Sequence, residues 1–280
     1  MLKKLLAVLA ITILFASTTS AQKKYFITYL NKAEKLFESE DYINAKLYYD
    51  SALKINPKYA IAYLKRGKSL YAEAKLQDAI NDFNTCIFLD PTNASAFNYR
   101  GDAKILLNDT LAGIRDFDTS VLINPKNYYY RIDRGYAYLN LDSNQLALND
   151  FKFAYSLNAT KYDAPFYAGV AHFHLEEYDS SQAYFNIATA VDSLASSSYY
   201  YRARINYNKD IYDAALIEIN KAIKIASEKS HYYVLRAKIY MFNDNEYDDD
   251  MAIDDLNKAI KMGSEEAKEL LEEYFNEGVA

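Results

Sequence analysis

The residues that could carry catalysis or bind a metal are few, and their spacing suits neither role. His172 and His174 lie two positions apart, so on a helix they would point to different faces and could not ligate one metal together. Cys86 is the only cysteine, which excludes an intramolecular disulfide and a thiolate zinc site. The many Asp and Glu residues form no pair distinct from a charged surface. We therefore predict that the chain is not an enzyme and has no metal site and no cofactor.

Two segments imitate ligand-binding motifs. Arg66-Gly67-Lys68-Ser69 matches the end of a phosphate-binding loop, but that motif needs another glycine five residues before Gly67, where Ala62 stands. The acidic run at residues 243–250 lacks the glycine and the distal glutamate of an EF-hand calcium loop, and we interpret it as a solvated turn. The formal net charge is −6, whereas phosphate backbones are bound by basic stripes, so we predict no nucleic-acid partner.

A 34-residue period organises the elements that must position any binding residues. Glycines and prolines recur in this register: Gly67, Gly101, Gly135 and Gly169, and Pro57, Pro91 and Pro125. Such a period indicates stacked supersecondary units. It defines seven repeats, the last with a short insertion: 26–59, 60–93, 94–127, 128–161, 162–195, 196–229 and 230–263. Apolar residues recur at helical spacing in two runs per repeat, which predicts helical hairpins over residues 22–280.

Small side chains mark where the two helices of each repeat should touch. With each repeat numbered from 1 to 34, position 8 is Ala33, Gly67, Gly101, Gly135, Gly169, Ala203 and Ala237, and position 24 is mostly aromatic. Small residues at positions 8, 20 and 27, an aromatic at 24 and proline at 32 resemble the tetratricopeptide repeat. The resemblance implies an all-α fold, a right-handed α-α superhelix of seven helical hairpins. Residues 264–278 carry an apolar stripe suited to a C-terminal capping helix.

The N-terminal segment differs from the repeats. Lys3 and Lys4 precede an apolar run from Leu5 to Ala16, and small and polar residues follow it up to Ala21. This pattern is typical of a secretory signal peptide, so we predict cleavage after Ala21 and an exported protein, periplasmic or secreted. The alternative is an uncleaved anchor helix, although the apolar run is shorter than the ~20 residues that span a membrane. Because no cysteine lies near the predicted cleavage site, the sequence disfavours a lipid-anchored protein.

A second regularity predicts a ladder of ion pairs joining the two helices of a repeat. Five repeats carry arginine at position 7 and an acid at position 23, and the fifth repeat has lost both. The predicted pairs are Arg66 with Asp82, Arg100 with Asp116, Arg134 with Asp150, Arg202 with Glu218, and Arg236 with Asp255. The alternative is that both positions lie on solvated helix faces and are charged without pairing. Because exposed pairs contribute only about 0–1 kcal/mol, we expect the ladder to set helix register more than stability.

Within the resemblance, the first helices of successive repeats line a concave groove through positions 2, 5, 9, 12 and 13. The residues that we assign to the groove are Tyr71, Tyr136, Leu139, Phe166, Phe173, Tyr200, Arg204, Tyr207 and Lys238. Family members that bind chaperone tails clamp a terminal carboxylate with lysine, asparagine and arginine at set groove positions. The first three repeats here offer Leu30, Glu34, Lys65, Ser95 and Tyr99 instead, so that role is not implied.

The sequence therefore favours a non-enzymatic protein–protein interaction scaffold that binds a peptide or a partner helix. The chain has 29 tyrosines and no tryptophan, and tyrosine supplies large contact area at low entropic cost. The alternative is a glycan- or small-ligand-binding protein that uses the same tyrosines. The identity of the partner is not encoded in any motif that we find.

Overall fold

The computed structural model describes residues 2–243 and 249–276, with side chains for 20–243 and 249–275. Within these ranges every regular element is helical. The first repeats contain α1 Leu2–Glu38, α2 Tyr42–Ile55, α3 Ala60–Ala72, α4 Leu76–Leu89, α5 Ala94–Leu106, α6 Thr110–Ile123, and α7 Tyr128–Leu139. They are followed by α8 Asn144–Leu157, α9 Asp163–His174, α10 Tyr178–Val191, α11 Ser196–Asn208, α12 Tyr212–Ile225, α13 Ser230–Phe242, α14 Asp249–Lys261, α15 Glu265–Leu271 and a π-helical turn, Glu272–Asn276.

Some predicted features lie outside these residues. The centre of the acidic turn, 244–248, and the end of the capping helix, 277–278, are among them. The predicted signal segment has its backbone in α1, which continues into the first helix of the first repeat, and cleavage after Ala21 remains a prediction. In the part of the chain that the structure describes, no helix combines the length and apolarity needed to cross a membrane.

The chain divides into an N-terminal unit, residues 1–137, and a C-terminal unit, residues 138–280. In each unit, consecutive helices pack as hairpins, such as α3 with α4 and α11 with α12. The second helix of one hairpin also packs on the first helix of the next, as α4 does on α5. First helices of neighbouring hairpins touch as well (α3 with α5, α9 with α11, and α11 with α13), so side chains from successive repeats come together on these helices.

Small residues allow the close helix contacts that the sequence predicts. A Cβ added to Gly67 would lie 2.6 Å from Cε1 of the Phe83 ring, and one added to Gly169 would lie 2.9 Å from Cε1 of Phe185. Both rings are fully buried. At Gly101 an added Cβ would lie 2.8 Å from the backbone oxygen of Gly113, so the two backbones are in contact there. In these three hairpins position 8 thus packs against position 24, and in the third repeat also against position 20.

The turn inside each hairpin contains a left-handed residue that the sequence did not reveal. Position 15 has a positive φ, between 51° and 65°, in the first six repeats, although none of these residues is glycine: Glu40, Ala74, Asn108, Asp142, Glu176 and Asp210. The left-handed conformation lets the chain reverse after the first helix. In α3, for example, the amide of Lys75 donates to the carbonyl of Leu70 at 2.9 Å, which closes the helix end.

The aromatic residues at position 4 hold successive hairpins together. The hydroxyl of Tyr63 donates to the carbonyl of Pro57 at 3.2 Å, and Tyr199 and Tyr233 repeat this bond to Ser193 and Ser227. Each acceptor carbonyl lies six residues earlier, at the end of the preceding repeat. These tyrosines are therefore part of the scaffold rather than of a ligand surface.

Candidate functional site

Four predicted groove residues meet in one cavity of the C-terminal unit. Tyr200, Arg204, Tyr207 and Lys238 line a cavity of about 280 Å³ between α11, α13 and α15. The sequence placed these residues at groove positions of two successive repeats, and the packing of α11 on α13 brings them together. This cavity is the candidate functional site.

Arg204 is held by aromatic rings rather than by acids. Its Cζ lies 4.5 Å from the centroid of the Phe173 ring and 5.6 Å from the centroids of Tyr200 and Tyr201. Cation–π contacts of this kind fix the guanidinium without neutralising its charge. Among the residues that the structure describes, no carboxylate lies within 4 Å of it. The cavity therefore presents an uncompensated positive charge.

Lys238 is compensated, in contrast to Arg204. Its Nζ lies 2.6 Å from Oε1 of Glu266, a residue of the capping helix α15. The groove positions of the repeats gave no sign of this acid, because Glu266 lies outside the 34-residue period. Of the two cations predicted for this patch, only Arg204 keeps an unmatched charge towards the cavity.

The tyrosines and His231 shape the cavity wall. The Tyr200 ring stacks on Tyr232 with centroids 5.1 Å apart, and meets the His231 ring edge-on at 4.9 Å. Burial raises the pKa of Tyr200, so its hydroxyl stays protonated and able to donate a hydrogen bond. Tyr207 packs edge-on against Tyr212 at 5.9 Å. His231 occupies position 2 of the last repeat and could have been found from the groove register.

The remaining predicted groove residues fall into two groups. Phe173 is only 7% exposed, and Phe166 and Leu139 are partly buried against the same apolar cluster. These residues lie beneath the surface because they pack in one apolar cluster with Phe185 and Ile205, and the Phe173 ring contacts the Arg204 guanidinium. In the N-terminal unit, the Tyr71 hydroxyl is hydrogen-bonded to Oδ2 of Asp102, and Tyr136 is 48% exposed.

The structure brings together four of the five predicted ladder pairs. Nη2 of Arg66 lies 2.6 Å from Oδ1 of Asp82, and the Nη2–acid distances in the other three are similar. They join Arg100 to Asp116 at 2.5 Å, Arg202 to Glu218 at 2.7 Å, and Arg236 to Asp255 at 2.8 Å. The fifth pair, Arg134 with Asp150, has its members in different units and remains a prediction.

The expectation of an exposed ladder was wrong. The carboxylates are buried, with Asp82, Asp116 and Asp255 each 5% exposed and Glu218 7% exposed, because they sit between the two helices of the hairpin. Hydrogen bonds to Asp82 raise the pKa of Arg66, which therefore stays charged. A buried carboxylate that loses its partner is strongly destabilising, so these pairs matter for stability as well as for register.

The ladder also extends between repeats. Nη1 of Arg66 reaches Oδ1 of Asp50 in the preceding repeat at 2.7 Å. The same bond recurs from Arg100 to Asn84, from Arg134 to Asp118 and from Arg236 to Asn220. Position 25 carries the acceptor each time, a regularity that is visible in the sequence. Arg66, Arg100 and Arg236 thus each join the second helices of two consecutive repeats.

His172 is buried and contacts two neighbouring side chains. It is 4% exposed, and its Nδ1 lies 2.5 Å from Oε2 of Glu177. Its ring stacks on Tyr184 with centroids 5.3 Å apart. In the described part of the chain, no group of three or more His, Cys, Asp or Glu side chains is placed to hold a metal ion.

Comparison with known proteins agrees with this architecture. Residues 168–230 match the sequence model of the tetratricopeptide repeat family. A tetratricopeptide repeat protein from Parabacteroides merdae superposes with a TM-score of 0.68 and 22% identity, over 89% of this chain and 98% of its own. Among curated proteins, no relative matches the sequence significantly.

Two further solved structures show the same fold. YrrB, described as a tetratricopeptide repeat protein with an unusual peptide-binding site, gives a TM-score of 0.59 and 22% identity, over 68% of this chain and 97% of its own. The Cut9–Hcn1 hetero-tetramer of the APC/C gives 0.68 and 16%, over 88% of this chain and 48% of the matched chain. Residues 168–230 thus match the tetratricopeptide repeat family, and the helical hairpins of the described chain have the fold of tetratricopeptide repeat proteins.

Proposed function

We propose that this protein is a non-enzymatic interaction scaffold that binds a peptide segment of a partner protein in the cavity of its C-terminal unit. The observation that carries the proposal is Arg204, a guanidinium held over Phe173 with no acid partner in the described residues. A charge kept unmatched inside an aromatic cavity is available to an anionic group of a ligand. We propose that the peptide supplies a carboxylate to Arg204.

The aromatic wall suits the rest of such a peptide. Tyr200 and Tyr207 present large, stiff rings with hydroxyls, which contribute contact area at low entropic cost. The cavity, at about 280 Å³, is near the lower limit of pockets that enclose drug-sized ligands. Its size favours one anchoring side chain of a peptide that continues along α11 and α13, rather than an oligosaccharide. YrrB, with its peptide-binding site, shows that the fold supports this kind of recognition.

We also propose that the protein acts outside the cytoplasm, in the cell envelope or beyond. The basis is the N-terminal sequence, with two lysines, an apolar run and a small-residue site before Gln22. Mass spectrometry of the protein purified from its own cells tests this: a mature chain that starts at Gln22 supports export. An intact N-terminus on a protein recovered from the cytoplasmic fraction contradicts it.

Partner capture tests the binding site. The full chain and the triple variant Tyr200→Ala, Arg204→Ala, Tyr207→Ala are compared as affinity baits on native envelope extract. A matched control replaces Ile217, Lys224 and Ile225 by alanine, which removes the same charge and similar apolar area from exposed positions of α12. We expect proteins captured by the wild type and the control to be lost with the triple variant, while circular dichroism stays helical.

Synthetic peptides that cover the captured partner then define the segment. Substituting its acidic residue by the amide should weaken binding to the wild type by about tenfold or more, because a charge-assisted bond to Arg204 is lost. The same substitution should have little effect on the Arg204→Ala protein. Undiminished capture by the triple variant would place the partner on another surface, and a clear signal on a glycan array would favour a glycan ligand.

A further inference from the structure

A second cavity, in the N-terminal unit, has the opposite charge. It encloses about 470 Å³ and is lined by polar and aromatic side chains, among them Asn98, Tyr99, Asp102, Tyr130 and Asp133. Two carboxylates on successive first helices, Asp102 on α5 and Asp133 on α7, thus face one space. Asn98 and Asp102 occupy groove positions 5 and 9 of the third repeat, and none of the five residues lines the Arg204 cavity.

Asn98 supplies an independent sign of a missing ligand. Its side chain is 7% exposed, and its Nδ2 donates to Oδ2 of Asp133 at 2.8 Å. Its Oδ1 is buried without a hydrogen-bond partner. An orphaned buried acceptor costs free energy that the fold does not recover, so such atoms call for an explanation. Asp133 accepts a bond from Asn98 and Asp102 accepts one from the Tyr71 hydroxyl, and each carboxylate keeps further acceptor capacity for a donor in the cavity.

The cation already near the cavity does not supply that donor. Lys68 lines the cavity, but its Nζ lies over the Tyr99 ring, 4.1 Å from the centroid. Among the described residues it forms no ion pair within 4 Å. Burial and the neighbouring Lys65 lower the pKa of Lys68 to about 8, an effect that bonding to the two carboxylates would oppose. Lys68 therefore does not neutralise Asp102 or Asp133.

We propose that this cavity binds the cationic side chain of a lysine or arginine from a partner protein, which donates to Asn98 Oδ1 and to the carboxylates of Asp102 and Asp133. Ammonium and guanidinium groups carry several N–H donors, as three acceptors require. The Tyr99 and Tyr130 rings provide faces for the aliphatic stem and for a cation–π contact. Two carboxylates and an amide are too few for a bare metal ion without several waters.

This inference goes beyond the proposed function, because it concerns another unit and another ligand charge. The two proposals can be tested separately. An Arg204→Ala protein should keep the acidic cavity intact, and a change at Asp133 should leave the Arg204 cavity unaffected.

The test is a titration of the full chain with small molecules of known charge. NMR of the Asn98 side-chain amide detects their binding. The cationic probes are the N-acetyl, N-methylamide derivatives of lysine and of arginine, and the norleucine derivative is the neutral control. The Asn98 signal is assigned by its absence from an Asn98→Asp protein. We expect a saturable shift of this signal with a cationic probe and none with norleucine.

Two substitutions and one control decide the outcome. Asp133→Asn and Asp102→Asn should each weaken probe binding by about tenfold or more. Asp254→Asn, which makes the same change at an exposed position of α14, should leave it unchanged. Binding that survives both cavity substitutions overturns the proposal. So does binding that appears only in Lys68→Met, since Lys68 would then be the internal occupant.

Discussion

Arg204 Cζ lies 4.5 Å from the centroid of the buried Phe173 ring, whereas Arg202, two residues earlier on the same helix, bonds to the buried Glu218 at 2.7 Å. One arginine is held by π-electrons and keeps its charge uncompensated. The other neutralises an acid inside a hairpin. Two arginines on one helix thus have different partners, an aromatic ring for Arg204 and a buried acid for Arg202.

Methionine at each of these positions should show the difference. Arg204→Met should change the free energy of unfolding by less than about 1 kcal/mol, because a partly exposed cation–π contact contributes little. Arg202→Met should cost about 2–3 kcal/mol, because the buried Glu218 loses its hydrogen-bonded partner and keeps only the Lys221 ammonium, 3.6 Å away. Urea unfolding followed by circular dichroism measures both values. Equal costs would contradict this division of roles.

The two acids bound to Arg66 should contribute unequally. Asp82 is 5% exposed and accepts two hydrogen bonds, from Nε at 2.7 Å and Nη2 at 2.6 Å. Asp50 lies at the surface, with 36% of its side chain exposed. We expect Asp82→Asn to cost about 3 kcal/mol and Asp50→Asn less than about 1 kcal/mol. High salt should reduce the cost of Asp50→Asn, because that pair is exposed, and should leave most of the cost of Asp82→Asn.

Gly101→Ala should destabilise the protein although it raises helix propensity. In an open helix this change gains about 1 kcal/mol. Here the new Cβ would lie 2.8 Å from the Gly113 backbone oxygen, which cannot rotate away, so we expect a net loss of about 1–3 kcal/mol. A higher melting temperature for Gly101→Ala would show that the α5–α6 contact is looser than described.

Ala74→Gly should stabilise the turn between α3 and α4. Ala74 has a φ of 58°, which costs an L-residue about 1–2 kcal/mol, and its side chain is exposed. Glycine removes that strain, but it loses more conformational entropy on folding than alanine does. We therefore expect a net stabilisation of up to about 1 kcal/mol. Ala72→Gly, in the last turn of α3, is the matched control and should lose about that amount. A loss at Ala74 would mean that the turn is not left-handed.

Asp133→Asn should stabilise the fold in a pH-dependent way. Burial raises the pKa of Asp133 to about 6; the Asn98 hydrogen bond opposes the rise and Asp102 adds to it. Folding therefore favours the protonated carboxyl: its contribution to stability is full below about pH 4 and is lost as the pH rises through about 6. Asparagine lacks this penalty, so the variant should exceed the wild type by about 1–3 kcal/mol at about pH 8 and match it near about pH 4.

Urea unfolding at the two pH values measures this difference, and Asp254→Asn serves as the control for charge removal. A gain that is larger in acid than in base would reverse the sign and contradict the burial of Asp133. If Asp133→Asn is more stable than the wild type but no longer binds the cationic probe, Asp133 contributes to binding at the expense of stability.

The ion-pair ladder shows which features of the structure the 34-residue period can predict and which it cannot. The 16-residue separation of Arg66 and Asp82 is local to one hairpin, and the pairing was predictable because both residues recur in phase. Its burial was not predictable, since charged residues at a helix surface and at a helix–helix seam have the same spacing. The second bond, from Arg66 to Asp50, needed the angle at which one hairpin packs on the next.

The groove residues show the same limit. Tyr200, Arg204, Tyr207 and Lys238 were assigned from repeat positions, and the structure places them around one cavity. Phe173 was assigned by the same rule but is buried, because its ring lies under Arg204 and packs against Tyr178 and Tyr201.

The sequence by itself determined the hairpins, because helical spacing, small contact residues and a fixed period act locally and repeat in every unit. Only the tertiary structure decided which charges remain available. Lys238 is neutralised by Glu266, 28 residues away, and Asn98 is joined to Asp133, 35 residues away. Among the described residues, Arg204 has no acid partner and Asn98 Oδ1 has no hydrogen-bond partner. These outcomes depend on how consecutive hairpins stack, and stacking is set by packed surfaces rather than by any run of residues.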